Sequence, residues 1–412
     1  MVSAVNYSLF RFLFGVLMIP QVLHLIPHVH DLSKSTFVFH YPGLGFIEAY
    51  SHGLIDFLAG LAVCAAVLLA LGIIPRIAAF LFMVSFGYLF LIDVSFYNNH
   101  YYLWCLLAFL FVCTEAGRSI SVFDLFRRRF KKEIHIWNYA AFALLVTIVY
   151  FYGGTAKLNG DWLQGYPMRL LTHAKKYPSP DLLGYFLSYT GLFFDLLIGL
   201  LLWRFSRSVW VVLPMLVFHI SNYFLFDIGE FPLVMIAAWL IYIPLSRFPL
   251  RNLLQDVKTL RKPVFGLLGL FFAFQLLFPA RALLYGGNVA WHRQGYNFSW
   301  RMMLNNHKPS YFQFLVDMPE RDDRYHVDFE KLLTYRQFYH AYHEPRMIWQ
   351  LAQKLHSDAQ KKYGNTPVHV YCKSLVALNQ HPARSLIDER VDLAAVPFHH
   401  FSPNHFVNPF IP

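Results

Sequence analysis

The sequence predicts a mainly α-helical protein: a polytopic bundle of about nine transmembrane helices, followed by a small α+β domain outside the membrane. Three observations predict it. Apolar residues make up 57% of the 412-residue chain and charged residues only 14%, against about a quarter charged in an average soluble domain. The apolar residues fall in repeated long runs, as spans of a bilayer require, and mean hydropathy is +0.40. Beyond residue 285 the chain changes character and becomes charged and amphipathic.

The apolar runs lie near 9–26, 54–75, 77–93, 101–115, 137–156, 184–203, 209–226, 231–246 and 264–285. Several are shorter than the roughly 20 residues that cross a ~30 Å hydrocarbon core. The runs 77–93 and 101–115 are either tilted or packed as a pair around the polar turn "FYNNHYY". No separate cleavage pattern follows the first run, which reads as a retained span. Residues 1–285 thus form the bundle and 286–412 the outer domain. In the latter, "EPRMIWQLAQKLHSDAQKKYG" reads as a surface helix ended by Gly364. "VHVYCKSLVAL", rich in β-branched and aromatic residues, reads as a strand, and "RYHVDF" as a second.

Orientation follows from the basic loops. Arg76, the cluster from Arg127 to Lys132, the pair Arg204 and Arg207, and the group from Arg247 to Lys262 each follow an even-numbered run. The positive-inside rule places these loops and the N-terminus in the cytoplasm; Lys175 and Lys176 are a weaker counter-signal. The stretches "YNNH", "AKLNGDW" and "FDIGEF" and the C-terminal domain then share the outer face, as parts of one site would. The net charge of +11 is spent on those loops, and with no nucleic-acid motif nucleic acid is not an expected partner; membrane lipid is. Cys64, Cys105, Cys113 and Cys372 form no CxxC pair, which argues against a zinc ribbon or thiol redox motif.

Four groups of residues carry candidate chemistry. Lys157 closes the fifth run in "YFYGGTAKLNGDW". It either snorkels to the interface or, if buried, becomes a neutral amine able to accept a proton; the preceding Gly-Gly-Thr-Ala allows close helix packing. His100, after Asn98 and Asn99, is either part of a polar turn or the support of a base or substrate. His219 and Asn222 share a helix face inside the seventh run, either as a satisfied core pair or as the lining of a ligand pocket. The stretch "YGGNVAWHRQGYNFSWRMM" either packs the outer domain or walls a pocket for a flat aromatic ligand. A metal at His24, His28, His30 and His40 is disfavoured, because Pro27 is expected to break the helix that would align the first pair.

At these residues the sequence resembles the vitamin K-dependent γ-glutamyl carboxylases and their bacterial relatives, the HTTM-domain membrane proteins. "YFYGGTAKLNGDWL", "DVSFYNNHYY", "VFHISNYFLFDIGEFPLVMI", "YGGNVAWHRQGYNFSWRMML" and "VALNQHPARSLIDERVDLAAVPF" match the family's blocks in the same order. The resemblance implies that Lys157 deprotonates a vitamin K hydroquinone, supported by His100. It implies that O2 converts the quinol to an epoxide through a strongly basic alkoxide, which removes a γ-proton from a glutamyl residue so that CO2 adds there. Asn98, Asn99, His219, Asn222, Arg281, Tyr296, Ser299, Trp300 and Met303 are the candidates for binding quinone and substrate. The implied partners are a reduced phylloquinone or menaquinone, O2, CO2 and a Glu-containing polypeptide, with no metal. The implied location is a bacterial inner membrane with the site facing outward. The alternatives are a quinol epoxidase coupled to another acceptor or to none, and a membrane transporter or lipid-binding protein.

Overall fold

The structure, a computed structural model, describes residues 1–47, 51–171, 179–226, 228–364 and 366–411. Lys175, Lys176 and Asp227 lie outside the described residues.

Each of the nine apolar runs is a helix: α1 (Val5–Asp31), α2 (His52–Leu71), α3 (Pro75–Leu91), α4 (Asn99–Cys113), α5 (Ile136–Ala156), α6 (Pro180–Phe205), α7 (Val209–Leu225), α8 (Phe231–Leu245) and α9 (Lys262–Ala280). The count of nine spans does not follow from this. Five helices among the described residues are long and apolar enough to cross a bilayer: α1, α2, α5, α6 and α9. Two more qualify if α4 and α8 are each joined to the short helix that follows, across bends of 70° and 98°. α3 and α7 are shorter apolar helices of 17 residues each. Pro27 does not break α1; Pro20 and Pro27 both lie inside it, as membrane helices tolerate when neighbours satisfy the freed backbone groups.

Small residues set the helix packing. α1, α2, α3 and α4 pack in sequence, and α1 continues to α8, α8 to α5 and α5 to α6. In a membrane no hydrophobic force separates helix from lipid, so close backbone approach supplies the attraction. At Gly15 an added Cβ would lie 2.6 Å from the Ala66 carbonyl oxygen of α2. At Gly154 of α5 it would lie 2.8 Å from the backbone nitrogen of Leu196 in α6. The second crossing places the end of α5, where Lys157 sits, against Asp195. At the opposite end the buried Arg11 guanidinium donates to the Leu69 and Ala70 carbonyls at the end of α2 and to the Ile120 carbonyl.

The C-terminal part contains an antiparallel four-stranded sheet of β1 (His307–Met318), β2 (Asp323–His326), β3 (His369–Leu378) and β4 (Arg384–Ser385), ordered β2-β1-β3-β4. "VHVYCKSLVAL" and "RYHVDF" supply β3 and β2 as expected from sequence. Helix α10 (Tyr335–Ala341) precedes α11 (Pro345–Tyr363). α11 buries Met347, Ile348, Leu351, Ala352, Leu355 and Ala359 in the sheet's core, one stripe at helical spacing. It ends at Gly364, whose φ of 78° suits glycine. Packing does not divide at residue 285. Trp300 belongs to the bundle's core, while Phe39, Tyr41 and Val94 belong to the sheet's. Asp93 fastens the two, accepting from Phe39 N, Ser95 N and Gln337 Nε2.

The α5–α6 crossing is testable. Gly154→Val should force the two helices apart and lower stability by about 1–3 kcal/mol, read as an earlier thermal unfolding transition in detergent. An unchanged transition would show that the helices do not meet closely at this point.

Candidate active site

A cavity of about 640 Å³ runs between the bundle and the C-terminal part. It gathers the polar clusters that the sequence leaves far apart. Asn98, Asn99 and His100 border it from the start of α4, Lys157 from the end of α5, and His219 and Asn222 from α7. Tyr296 and Met303 border it from the segment before β1. Its apolar wall comes from α6 and α7, including Leu187, Phe194, Val217 and Phe218.

Lys157 is the residue after the last turn of α5, and only 5% of it is exposed. Nζ donates to the Gly153 carbonyl at 3.0 Å and to Asp195 Oδ2 at 2.6 Å, and lies 5.0 Å from the centre of the Trp162 ring. Of the two sequence readings, Lys157 is therefore buried and does not snorkel, and a carboxylate that neither reading included holds it. It is half of a buried pair. Two opposite charges in contact lose less on burial than either would alone. Asp195 is the residue that sequence reasoning missed. Its signal was a lone acid inside an apolar run, which by itself marks a functional position.

Beside the pair, the buried Tyr150 hydroxyl meets His219 Nε2 at 2.7 Å, while His219 Nδ1 has no partner among the described residues. His100 stacks on Phe231, with ring centres 4.2 Å apart and planes 15° apart. No hydrogen bond joins His100 to Lys157. Asn98 caps α4 by accepting from His100 N at 2.8 Å. Asn99 accepts from the Tyr97 hydroxyl at 2.7 Å and donates to the Arg301 carbonyl at 3.2 Å. Both asparagines thus border the cavity while holding its frame.

Three sequence candidates stand outside the cavity lining. Arg281 donates to the carbonyls of Phe278 and Asn297 and to Ser299 Oγ, and its guanidinium lies over the Phe278 ring. Ser299 Oγ donates to Gly295 O at 2.6 Å. Trp300 is fully buried and stacks on Tyr102. These side chains are consumed in fixing a strained segment. Phe298, Trp300 and Met303 have φ of 59°, 57° and 62°, a region that costs a bulky residue about 1 kcal/mol or more. Met303 borders the cavity from that bend.

The C-terminal part closes the far end with Arg293, Arg301, His307, His340 and His343. Arg293 Nε meets Glu344 Oε2 at 3.0 Å, both side chains nearly buried. His307 and His343 stack with centres 4.4 Å apart. Burial, then the Arg293 guanidinium, pushes His307 down to about 3. Burial, with Arg336 and Arg293 beyond, pushes His340 to about 3 as well. Burial also holds His343 well below the ordinary imidazole value, with His307 and Arg293 adding to it. A further tie links this part to the lysine loop: Asp161 accepts from Asn379 Nδ2 at 2.6 Å and pairs with His381 Nε2 at 2.8 Å. "AKLNGDW" and "VALNQHPAR" are thus in direct contact.

The fold and site define an integral membrane protein whose polar centre is buried between helices and roofed by a sheet-containing C-terminal part. Residues 2–246 match the family model of the HTTM domain, and residues 260–411 match that of the vitamin K-dependent gamma-carboxylase lumenal domain. The chain belongs to the vitamin K-dependent gamma-carboxylase family. No solved structure matches it.

The buried histidines make stability depend on pH. Unfolded, each takes up a proton near pH 6.5; folded, His307 does so only near 3. Stability from this source is complete above about pH 6.5 and falls as pH drops toward 3, by roughly 1.4 kcal/mol per histidine per pH unit. Melting temperature in nanodiscs should therefore decline from about pH 7 to about pH 5, and His343→Gln should flatten the decline. A pH-independent melting temperature across that window would contradict the burial of these rings as neutral groups.

Proposed function

We propose that the protein is a vitamin K-dependent γ-glutamyl carboxylase. In this reading it oxidises a vitamin K hydroquinone with O2 to the epoxide and uses the strong base so formed to add CO2 to glutamyl residues. The observation that carries the reading is Lys157: a buried amine at the end of a span, hydrogen-bonded to one carboxylate, in a cavity walled by apolar side chains. Family membership supplies the substrate class, and the cavity suits it. A quinol arriving from lipid needs an apolar wall, and α6 and α7 provide it. A strongly basic intermediate needs shelter from water, which the apolar wall beside Lys157 favours.

In this assignment Lys157 accepts a proton from a quinol hydroxyl. His219, with Nδ1 free and Nε2 held by Tyr150, is placed to hydrogen-bond a quinone oxygen, and Asn222, Tyr296 and Met303 complete the lining. His100, stacked on Phe231, shapes the floor beside the lysine. The glutamyl side chain is assigned to the opposite end. There Arg301 carries no ion pair among the described residues, and the His340 imidazole borders the space without adding charge, while His307 is engaged by the Ala290 carbonyl and Asn305. Arg281, Ser299 and Trp300 act by holding the wall in place. Residues 1–285 serve as the membrane bundle and 286–412 as an extracytoplasmic domain, the N-terminus lying in the cytoplasm; the basic loops after even-numbered runs support this orientation. The membrane is the bacterial inner membrane.

The test is purified protein in nanodiscs with reduced vitamin K, bicarbonate and a Glu-containing peptide, followed by epoxide chromatography and peptide mass. Both products are expected. Epoxide without added peptide mass would replace the reading with a quinol epoxidase of another acceptor. No epoxide from folded protein would favour a transporter or lipid-binding role. Lys157→Ala should lower epoxide formation by at least about 1,000-fold per folded molecule, with a lower melting temperature because Asp195 is left buried without its partner; near-normal turnover would remove Lys157 as the base. His100→Ala should slow turnover by roughly tenfold, and unchanged kinetics would make the ring a packing element alone.

A further inference from the structure

Resting on the assignment of Lys157 as the group that meets the quinol, we infer that Asp195 is the final acceptor of the quinol proton and that Lys157 relays it. Three features of the structure lead there. The first is the contact itself: Asp195 Oδ2 lies 2.6 Å from Nζ, and Asp195 is 8% exposed in the middle of α6. The second is how little else holds the carboxylate. Its hydrogen bond to Lys157 is the one contact it makes with a donor among the described residues. Asp93, another buried aspartate, accepts from Phe39, Ser95 and Gln337 and is held on several sides as a structural anchor. A carboxylate can accept about four hydrogen bonds, so Asp195 keeps room for a proton. The third is position: Asp195 and Lys157 both border the cavity, so the pair meets whatever occupies it.

An ammonium already bound to a carboxylate is a poor base, since the opposite charge favours its protonated form. The relay resolves this. One of the three Nζ protons moves along the 2.6 Å contact to Asp195 Oδ2, leaving a neutral amine and a carboxylic acid. The quinol O–H bond then breaks and its proton bonds to Nζ, while the electron pair stays on the quinol oxygen. Before the transfer the site holds one ammonium and one carboxylate; afterwards it holds one ammonium and one quinolate, with Asp195 neutral. The number of buried charges is two in both states. The ammonium has only exchanged one anionic partner for another, so the low-dielectric site is not asked to create a new charge pair. The other titratable side chains next to the pair are Tyr150 on α5 and His219 on α7, which are bound to each other. They leave Asp195 as the acceptor in contact with Nζ.

The experiment is infrared difference spectroscopy of the full chain in nanodiscs under argon, before and after phylloquinol, combined with epoxide assays in air. Addition of the quinol should raise a protonated-carboxyl C=O band that shifts with ¹³C-aspartate and is missing from Asp195→Asn. Asn is isosteric and still accepts from Nζ, so the fold should hold; epoxide formation should fall by at least about 100-fold. Asp195→Glu, which restores a carboxylate, should recover about a tenth of the wild-type rate or more. No such band in folded wild-type protein would overturn the relay. So would Asp195→Asn turning over within about threefold of wild type while Lys157→Ala is inactive; in that case Lys157 remains the base and acts alone. The band appearing in wild-type protein that forms no epoxide would support the proton relay while removing the proposed oxygenation. Should the Asn variant fail to fold, the labelled wild-type spectrum decides.

Discussion

The Lys157–Asp195 pair is the constraint around which the rest is arranged. Two charged groups cannot be kept in an apolar bundle unless they touch, and they can touch only if α5 and α6 cross closely. Glycine at 154 permits that crossing, with Leu196, the neighbour of Asp195, pressed against it. Trp162 covers the ammonium on one side, and its indole N–H is fixed to the Ser188 carbonyl of α6. Backbone approach, ring cover and ion pair are therefore one unit. Loosening any of them exposes a charge that the surrounding helices cannot solvate.

The cavity is made by a different strategy at each end. At the membrane end, shape comes from helices with small and aromatic faces, and polar groups are few and paired. At the other end the C-terminal part supplies arginines and stacked imidazoles, with Glu344 balancing Arg293. Between them runs a bend of left-handed residues over 298–303, held by Tyr97, Arg281 and Ser299. That bend explains why some side chains read from sequence as ligand-binding stand outside the cavity lining. Arg281 and Trp300 are occupied in keeping the backbone where Met303 can face the cavity.

Much of this was legible beforehand. Every apolar run is a helix because the runs alone can shield their backbone from lipid, and the pattern of α11 fixed its buried stripe. The polar clusters now seen around one cavity were visible as anomalies in an apolar sequence. What could not be read was pairing across the chain. Asp195 lies 38 residues beyond Lys157, and only the angle at which two helices cross makes them partners. Span count was also hidden, since composition marks α3, α4, α7 and α8 as apolar without saying whether each crosses, bends or stops short. Pro27 misled for a related reason: a proline breaks a helix only when its freed carbonyl finds no substitute, which depends on neighbours.

The bridge from Asp161 to Asn379 and His381 bears on how the protein is made. The chain emerges from its N-terminus, so the helix bearing the lysine is synthesised some 220 residues before the partners that hold its following loop. Until the late strand β3 has formed and docked, "KLNGD" has no clasp on its outer side. Completion of the lysine loop is thereby tied to formation of the sheet in the C-terminal part. A nascent or truncated bundle would carry the lysine with the loop after it unclasped.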